Sequence, residues 1–199
     1  MRAIASALAA ALLCACVVTM PATVRIAAAG QDVPRVESRV LATSKTSTLE
    51  RELNDAAESG FRLVAVMGGE TAMGGKEAVA VVTRIGRPTG RYVYKLLATS
   101  KTSTMEKEIR QAAEAGFEYV DQTVFSSLMG GQEVVVILER DKDAAQRSDY
   151  KLLATTRTST LEKELQEAGA SGYAVVGMTV AKTAMGGNEL VAILKRAAR

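Results

Sequence analysis

The segment KLLATSKTSTMEKEIRQAAEAGF, residues 95–117, decides the fold, because near-copies of it stand on both sides of it along the chain. RVLATSKTSTLERELNDAAESGF occupies residues 39–61, and KLLATTRTSTLEKELQEAGASGY occupies residues 151–173. Equivalent residues are 56 positions apart in both steps. An internal repeat of this size indicates tandem copies of one supersecondary unit.

Each unit is predicted to fold as strand, helix, strand, strand. A short apolar strand ends in LAT, and the following helix carries apolar residues at helical spacing, as in Leu49, Leu53 and Ala56. A glycine that accepts positive φ then ends the helix, and an aromatic core residue follows it. These pairs are Gly60-Phe61, Gly116-Phe117 and Gly172-Tyr173, and the MGG turns between the last two strands begin at Met73, Met129 and Met185.

The last strand of each unit is the most continuously apolar, which favours a central position covered on both faces. We therefore predict an α+β fold of three βαββ repeats in which the third strand lies between the first and the second. The repeats span residues 35–86, 91–142 and 147–199 and have short connectors. One compact body around a pseudo-threefold axis is expected, and a linear array or pairing between chains is the alternative. Gly169 occupies a helical position at which the other two units have alanine, and we expect this to lower the stability of the third helix by about 1 kcal/mol.

The N-terminus has the pattern of a secretory signal peptide over residues 1–30. A charged start precedes an uncharged apolar run over residues 3–24, and small residues follow it. We expect cleavage after Ala29 or Gly30 and a periplasmic or secreted protein. One alternative is a lipid on Cys16, within LCAC, and the other is an uncleaved run that spans a bilayer. A membrane partner is expected only in those two cases.

Composition excludes several function classes. The sequence has no histidine, and its two cysteines, Cys14 and Cys16, lie within the predicted signal segment. Removing Arg2 and Arg25 lowers Lys+Arg from 25 to 23 against 22 acidic residues, a net charge of +1, which does not favour nucleic acid. Without a usual base or thiol nucleophile, we predict no enzyme activity, no cofactor and no metal. Three glutamates after the MGG turns are interpreted as solvated charges rather than a calcium site: Glu77, Glu133 and Glu189.

The middle unit carries an opening Tyr94-Lys95, a helix end at Gly116-Phe117 and a closing Glu139-Arg140. The third unit carries Tyr150-Lys151, Gly172-Tyr173 and Lys195-Arg196 at the same places. With these motifs each unit resembles the small bacterial domain of unknown function numbered 4177. The chain departs from that family in having Phe or Tyr where Trp is frequent, and Ser38 where the first unit would have an aromatic residue. The resemblance implies a fold and no activity.

The repeated TSTLE or TSTME stretch matches a capping box. In that motif the serine hydroxyl accepts a free N–H of the first turn and the glutamate reaches back to the serine N–H. The predicted pairs are Ser47 with Glu50, Ser103 with Glu106, and Ser159 with Glu162.

The same stretches also hold the ingredients of an anion site, since hydroxyls and a cation surround the N–H groups of a helix start. The candidate ligand-binding residues are Lys45, Thr46, Ser47, Thr48, Lys101, Thr102, Ser103, Thr104, Arg157, Thr158, Ser159 and Thr160. We predict an exported, non-catalytic binding or interaction protein whose partner is a small anion or a protein. The alternative is a structural or assembly component that oligomerises through sheet edges.

Overall fold

Each 56-residue period contains the predicted four elements in the predicted order. The computed structural model describes residues 35–70, 76–86, 90–99, 101–126, 132–144, 147–182 and 187–198. The predicted signal segment and the methionines of the MGG turns lie outside the described residues.

The first unit comprises β1 (Val36–Thr43), α1 (Thr46–Glu58), β2 (Arg62–Glu70) and β3 (Lys76–Ile85). The second comprises β4 (Tyr92–Thr99), α2 (Thr102–Glu114), β5 (Glu118–Ser126) and β6 (Gln132–Asp141). The third comprises β7 (Ser148–Thr155), α3 (Thr158–Ala170), β8 (Ala174–Lys182) and β9 (Asn188–Ala197).

Each unit forms its own three-stranded antiparallel sheet, in the orders β1-β3-β2, β4-β6-β5 and β7-β9-β8. The predicted central position of the last strand is therefore confirmed in all three units. The α+β class and the three similar units are also as predicted. In β6 the run from Val134 to Leu138 is buried throughout, which explains why that strand does not alternate between apolar and polar residues.

The helices end as the glycine pattern predicts. Gly60, Gly116 and Gly172 have φ of 82°, 83° and 83°. In the first unit the Gly60 N–H donates to the Ala57 carbonyl and the Phe61 N–H donates to the Ala56 carbonyl. This pair of bonds is the Schellman motif, which turns the chain sharply from the helix into the next strand.

The core explains how the units pack in series. One cluster joins Leu53 and Ala57 of α1 to Tyr94, Val135 and Ile137 of the second unit's sheet. A second cluster joins α2 in the same way to the third unit's sheet, through Tyr150, Leu152, Val191 and Ile193. The sheets of the second and third units are thus each covered on one face by their own helix and on the other face by the helix of the preceding unit.

The extensive contacts between units join the first to the second and the second to the third. Across the described residues, no contact of that extent joins the first unit to the third. The last core cluster is correspondingly small and contains only third-unit residues, with Leu161 and Ala168 as the buried residues of α3. The threefold arrangement stays a prediction.

Gly169 provides a test of the helix analysis. A Cβ added there meets no atom within 4 Å, so Gly169→Ala is expected to raise the free energy of unfolding by about 1 kcal/mol. Gly172→Ala is the matched control, because its Cβ also meets nothing within 4 Å but its φ is +83°. We expect that control to lower the free energy of unfolding by about 1 kcal/mol. Urea denaturation measures both, and equal effects of the two substitutions would contradict the assignment of Gly169 to a relaxed helical position.

Candidate functional site

The serines of the repeated motif do not cap the helices. The residues at the N-cap are Lys45, Lys101 and Arg157, which have extended backbones, and no side chain caps any of the three helices. Ser47 and its equivalents therefore lie inside the first helical turn. The capping-box prediction is wrong, because its register is two residues too late.

Other side chains hold this loop. The N–H of Lys45 donates to Thr43 Oγ1 over 3.2 Å, and the LAT threonines of the other units accept the equivalent bonds from Lys101 and Arg157. Glu50 Oε2 accepts the N–H of Leu96 in the next unit over 2.8 Å. The glutamate of the motif therefore contributes to a contact between units and not to its own helix start.

The twelve predicted ligand residues lie on three helix starts, one in each unit. The three cations are exposed, and the first turn of each helix contains no acidic residue. The register places Ala78 opposite both Thr43 and Gly68, so the helix start and the β2–β3 connection lie at one end of the sheet, as predicted. The second start already has a carboxylate neighbour, because the Thr102 hydroxyl hydrogen-bonds Glu189 of the third unit.

The joint between the first two units is built on Tyr94. Its hydroxyl accepts the Leu63 N–H of the first unit over 2.8 Å and donates to Glu139 over 2.6 Å. Arg62 of the first unit donates to both oxygens of Glu139 from Nε, and again from Nη2 over 2.8 Å. The carboxylate is almost fully buried, so this pairing satisfies a charge that would otherwise be costly.

The second joint repeats the tyrosine and reverses the charges. The Tyr150 hydroxyl accepts the Tyr119 N–H over 2.7 Å and donates to Glu118 over 2.9 Å. Lys195 of the third unit pairs with Glu118 at 2.5 Å. Glu118 is equivalent to Arg62, and Lys195 is equivalent to Glu139, so the acid and the base have changed places.

The environment keeps both phenols protonated. Burial raises the pKa of Tyr94 well above its ordinary value, and the hydrogen bond to Glu139 raises it further. Burial is also the main cause of the raised pKa of Tyr150. Each hydroxyl thus remains a donor to its carboxylate through neutral and moderately alkaline pH.

Side chains from one unit also cover the strand edge of the next. β4 and β7 are edge strands of their sheets. Asn54 of α1 donates to the Tyr94 carbonyl over 3.0 Å and accepts the Tyr94 N–H over 2.9 Å. Arg110, the equivalent of Asn54, donates to the Tyr150 carbonyl over 2.9 Å. Edge groups that would otherwise be free to pair with another strand are thereby satisfied.

A polar cleft of about 420 Å³ lies beside the joints and receives side chains from all three units. Its carboxylates each have a cation partner: Arg62 with Glu139, Lys195 with Glu118, and Arg91 with Asp141. The Arg91 hydrogen bond lowers the pKa of Asp141. Two of these pairs join neighbouring units, Arg62 with Glu139 and Glu118 with Lys195, whereas the Arg91–Asp141 pair lies within the second unit.

The described residues contain no cluster of three or more His, Cys, Asp or Glu side chains placed to hold a metal ion. Within the same part of the chain, no helix is both long and apolar enough to cross a membrane. Comparison of the chain with known protein families, curated proteins and solved structures finds no match. The resemblance to the domain of unknown function therefore stays a prediction.

Sequence reasoning missed the joint residues Asn54, Tyr94 and Glu139 as a group. A signal was present: when the copies are aligned at the 56-residue period, Arg62 becomes Glu118 while Glu139 becomes Lys195. Such a reciprocal exchange indicates two positions in contact across copies. It was hidden because the partners are far apart along the chain and belong to different units.

The reversed charges predict a rescue experiment. Arg62→Glu places a second carboxylate beside buried Glu139, and we expect the free energy of unfolding to fall by about 2 kcal/mol. Adding Glu139→Lys recreates the charge order of the second joint and should recover most of that loss. Urea denaturation of both single variants and the double variant completes a double-mutant cycle. Additive losses would show that the two positions do not interact.

Proposed function

We propose that this chain is an exported, non-catalytic interaction protein that binds its partner through the two ends of a series of three units. The observation that carries the proposal is that surfaces which the inner joints bury or partly bury are open on the first and third units, with Val176 as the one equivalent of a head-face residue that is exposed at an inner joint. We define the head face by Val36, Val40 and Val64 of the first unit. We define the tail face by Leu165, Gly169 and Val175 of the third unit.

The head face is apolar and open. Val36, Val40 and Val64 are 61%, 66% and 57% exposed. Their second-unit equivalents, Tyr92, Leu96 and Val120, pack against the core of the preceding unit. The sheet of the first unit therefore presents the surface that the second unit uses for docking, with nothing docked on it in the described part of the chain.

The tail face is open for the complementary reason. Ala57 and Ala113 are buried, whereas their equivalent Gly169 is exposed. Leu53 and Ile109 are fully buried, whereas Leu165 is only partly buried. The cover that α1 and α2 receive comes from the next unit, and in the described part of the chain no such unit covers α3.

The remaining parts of the proposal rest on the sequence. The signal pattern of residues 1–30 supports export, and the lack of histidine and of cysteine after residue 16 supports a non-catalytic role. Among the described residues, the extensive contacts between units run between consecutive units, and this supports the linear array over a closed threefold ring. The ends then bind through faces of sheet and helix, and not through a strand edge alone.

Two substitutions at equivalent positions test whether the head face is free. Val40→Ala is expected to change the free energy of unfolding by less than about 0.5 kcal/mol at low protein concentration. Leu152→Ala, at the same position in the third unit, is expected to cost about 2–3 kcal/mol, because Leu152 is only 8% exposed. Urea denaturation compares them. A large loss for Val40→Ala in the monomer would mean that the face is covered within its own chain, and the proposal would be wrong.

A second candidate function is binding of small anions at the three helix starts. Exposed cations at uncapped helix N-termini favour it, because the N-terminal end of the helix dipole and the cation attract the same charge. The candidate residues are those predicted from the sequence, from the cation to the last threonine of each stretch.

Thermal unfolding against phosphate, sulfate, nucleotides, sugar phosphates and cell-wall fragments tests this candidate. A bound anion at one hundred times its dissociation constant should stabilise the chain by about 2.7 kcal/mol. The triple variant Lys45→Ala, Lys101→Ala, Arg157→Ala should lose that stabilisation. The matched control removes three exposed cations from inside the same helices, at Arg51, Lys107 and Lys163. Equal responses of the two variants would show that net charge alone is responsible.

A further inference from the structure

We infer that the partner is a second copy of this chain, docked head to tail, with the tail face of one copy on the head face of the next. The inference rests on the proposed function and names its partner. The chain already contains two joints in which a tyrosine, an ion pair and a helix residue occupy equivalent positions, and the end surfaces carry the two halves of a third such set of positions. The occupant of each end is therefore specified by the surface that fills the equivalent place inside the chain.

The edge of β1 fits the side chains that α3 presents. Ser38 pairs with Thr83 in the register in which Tyr94 pairs with Glu139. The backbone N–H and C=O of Ser38 therefore point outward, as those of Tyr94 do where Asn54 binds them. The equivalent of Asn54 on α3 is Gln166, which has the same amide and can donate and accept in the same way.

A second polar contact is available at the same edge. Glu162 is equivalent to Glu50, which accepts the N–H of Leu96. In the joint between copies that bond would come from the N–H of Val40. The exposed α3 thus keeps both side chains that would cover the edge strand of a following unit, although the described part of the chain contains no unit after the third.

The charges of the joints determine which unit can dock on the tail. At the positions of the inner ion pairs, the tail face has Ala174 and the head face has Thr83. If the second or third unit docked on the tail, Glu139 or Lys195 would be buried opposite Ala174 without its oppositely charged partner, which is unfavourable. The first unit brings only Thr83 and Ser38 to the same place. The neutral tail therefore accepts the neutral head and rejects the other two units.

The joint between copies would depend mainly on apolar contact. Val40 stands where the inner joints have leucine, and Gly169 stands where they have a buried alanine. Because Ala57 and Ala113 fit under the next sheet, Gly169→Ala should also fit there. A lysine at the same place would put a charge into the joint while remaining solvated in the separate chain.

Such a contact is heterologous, since two different surfaces meet. Each copy that docks leaves one free head and one free tail, so the assembly grows unless its rotation closes a ring. The stoichiometry of assemblies therefore distinguishes this contact from a two-fold dimer, in which one surface meets itself.

Sedimentation velocity over a range of protein concentrations tests the inference. The average mass of the unmodified protein should rise with concentration through more than one assembly size. Val40→Lys blocks the head and Gly169→Lys blocks the tail, and each should weaken association at least about tenfold. The matched controls Val40→Leu and Gly169→Ala should associate within about threefold of the unmodified protein, because those residues occupy the equivalent inner positions.

Mixing the two blocked variants gives the decisive result. One retains a tail and the other retains a head, so an equimolar mixture should form dimers and stop at two chains. Unchanged circular dichroism establishes that both variants are folded. A mixture that stays monomeric, or an unmodified protein that stays monomeric while Val40→Ala shows the head face to be free, would overturn the inference and leave the end faces for a different partner.

Discussion

The structure depends on one constraint: a three-stranded sheet has two faces, and a βαββ unit has only one helix to cover them. A unit of about 50 residues is therefore marginal alone. Here α1 and α2 each lie between their own sheet and the next, so that Leu53 of α1 shares a core with Tyr94 and Ile137 of the second unit. The same helix satisfies the next strand edge through Asn54. The position of α1 against the second unit therefore covers both a face of that unit's sheet and the edge of its strand β4.

The elements of the fold could be predicted from the sequence because their signals are local. The period of 56 residues, the apolar spacing of the helices and the glycines with positive φ all act within one unit. The central place of the last strand was also predictable, since β6 and β9 are apolar on both faces. A local pattern does not show which helix covers the other face of each sheet. Val135 and Ile137 are buried because α1 packs on them, and the sequence of β6 does not show that the covering helix belongs to the preceding unit.

The capping box failed for a related physical reason. Ser-x-x-Glu is a short pattern, and both residues have other uses when a neighbouring unit is near. The backbone turns earlier than the serine, at Lys45, Lys101 and Arg157, because the LAT threonine already holds the loop. Glu50 is then free to accept the N–H of Leu96. The predicted residues do lie at the helix starts, but the side chains that join the units lie on the strands and in the second and third turns of the helix, at Glu50 and Asn54.

The three copies differ in charge where they meet, and the differences at the two contacting positions are correlated. Arg62 and Glu139 become Glu118 and Lys195, and then Ala174 and Thr83 at the two ends. An end that only needed to be soluble would gain by carrying charge, because exposed apolar patches of this kind favour association. Instead both positions of the inner ion pair are neutral at the ends, as Ala174 and Thr83, and valines occupy the head face. Loss of both members of the ion pair at once is what a dry joint between those halves would need, whereas a solvent-facing surface tolerates a charge at either position.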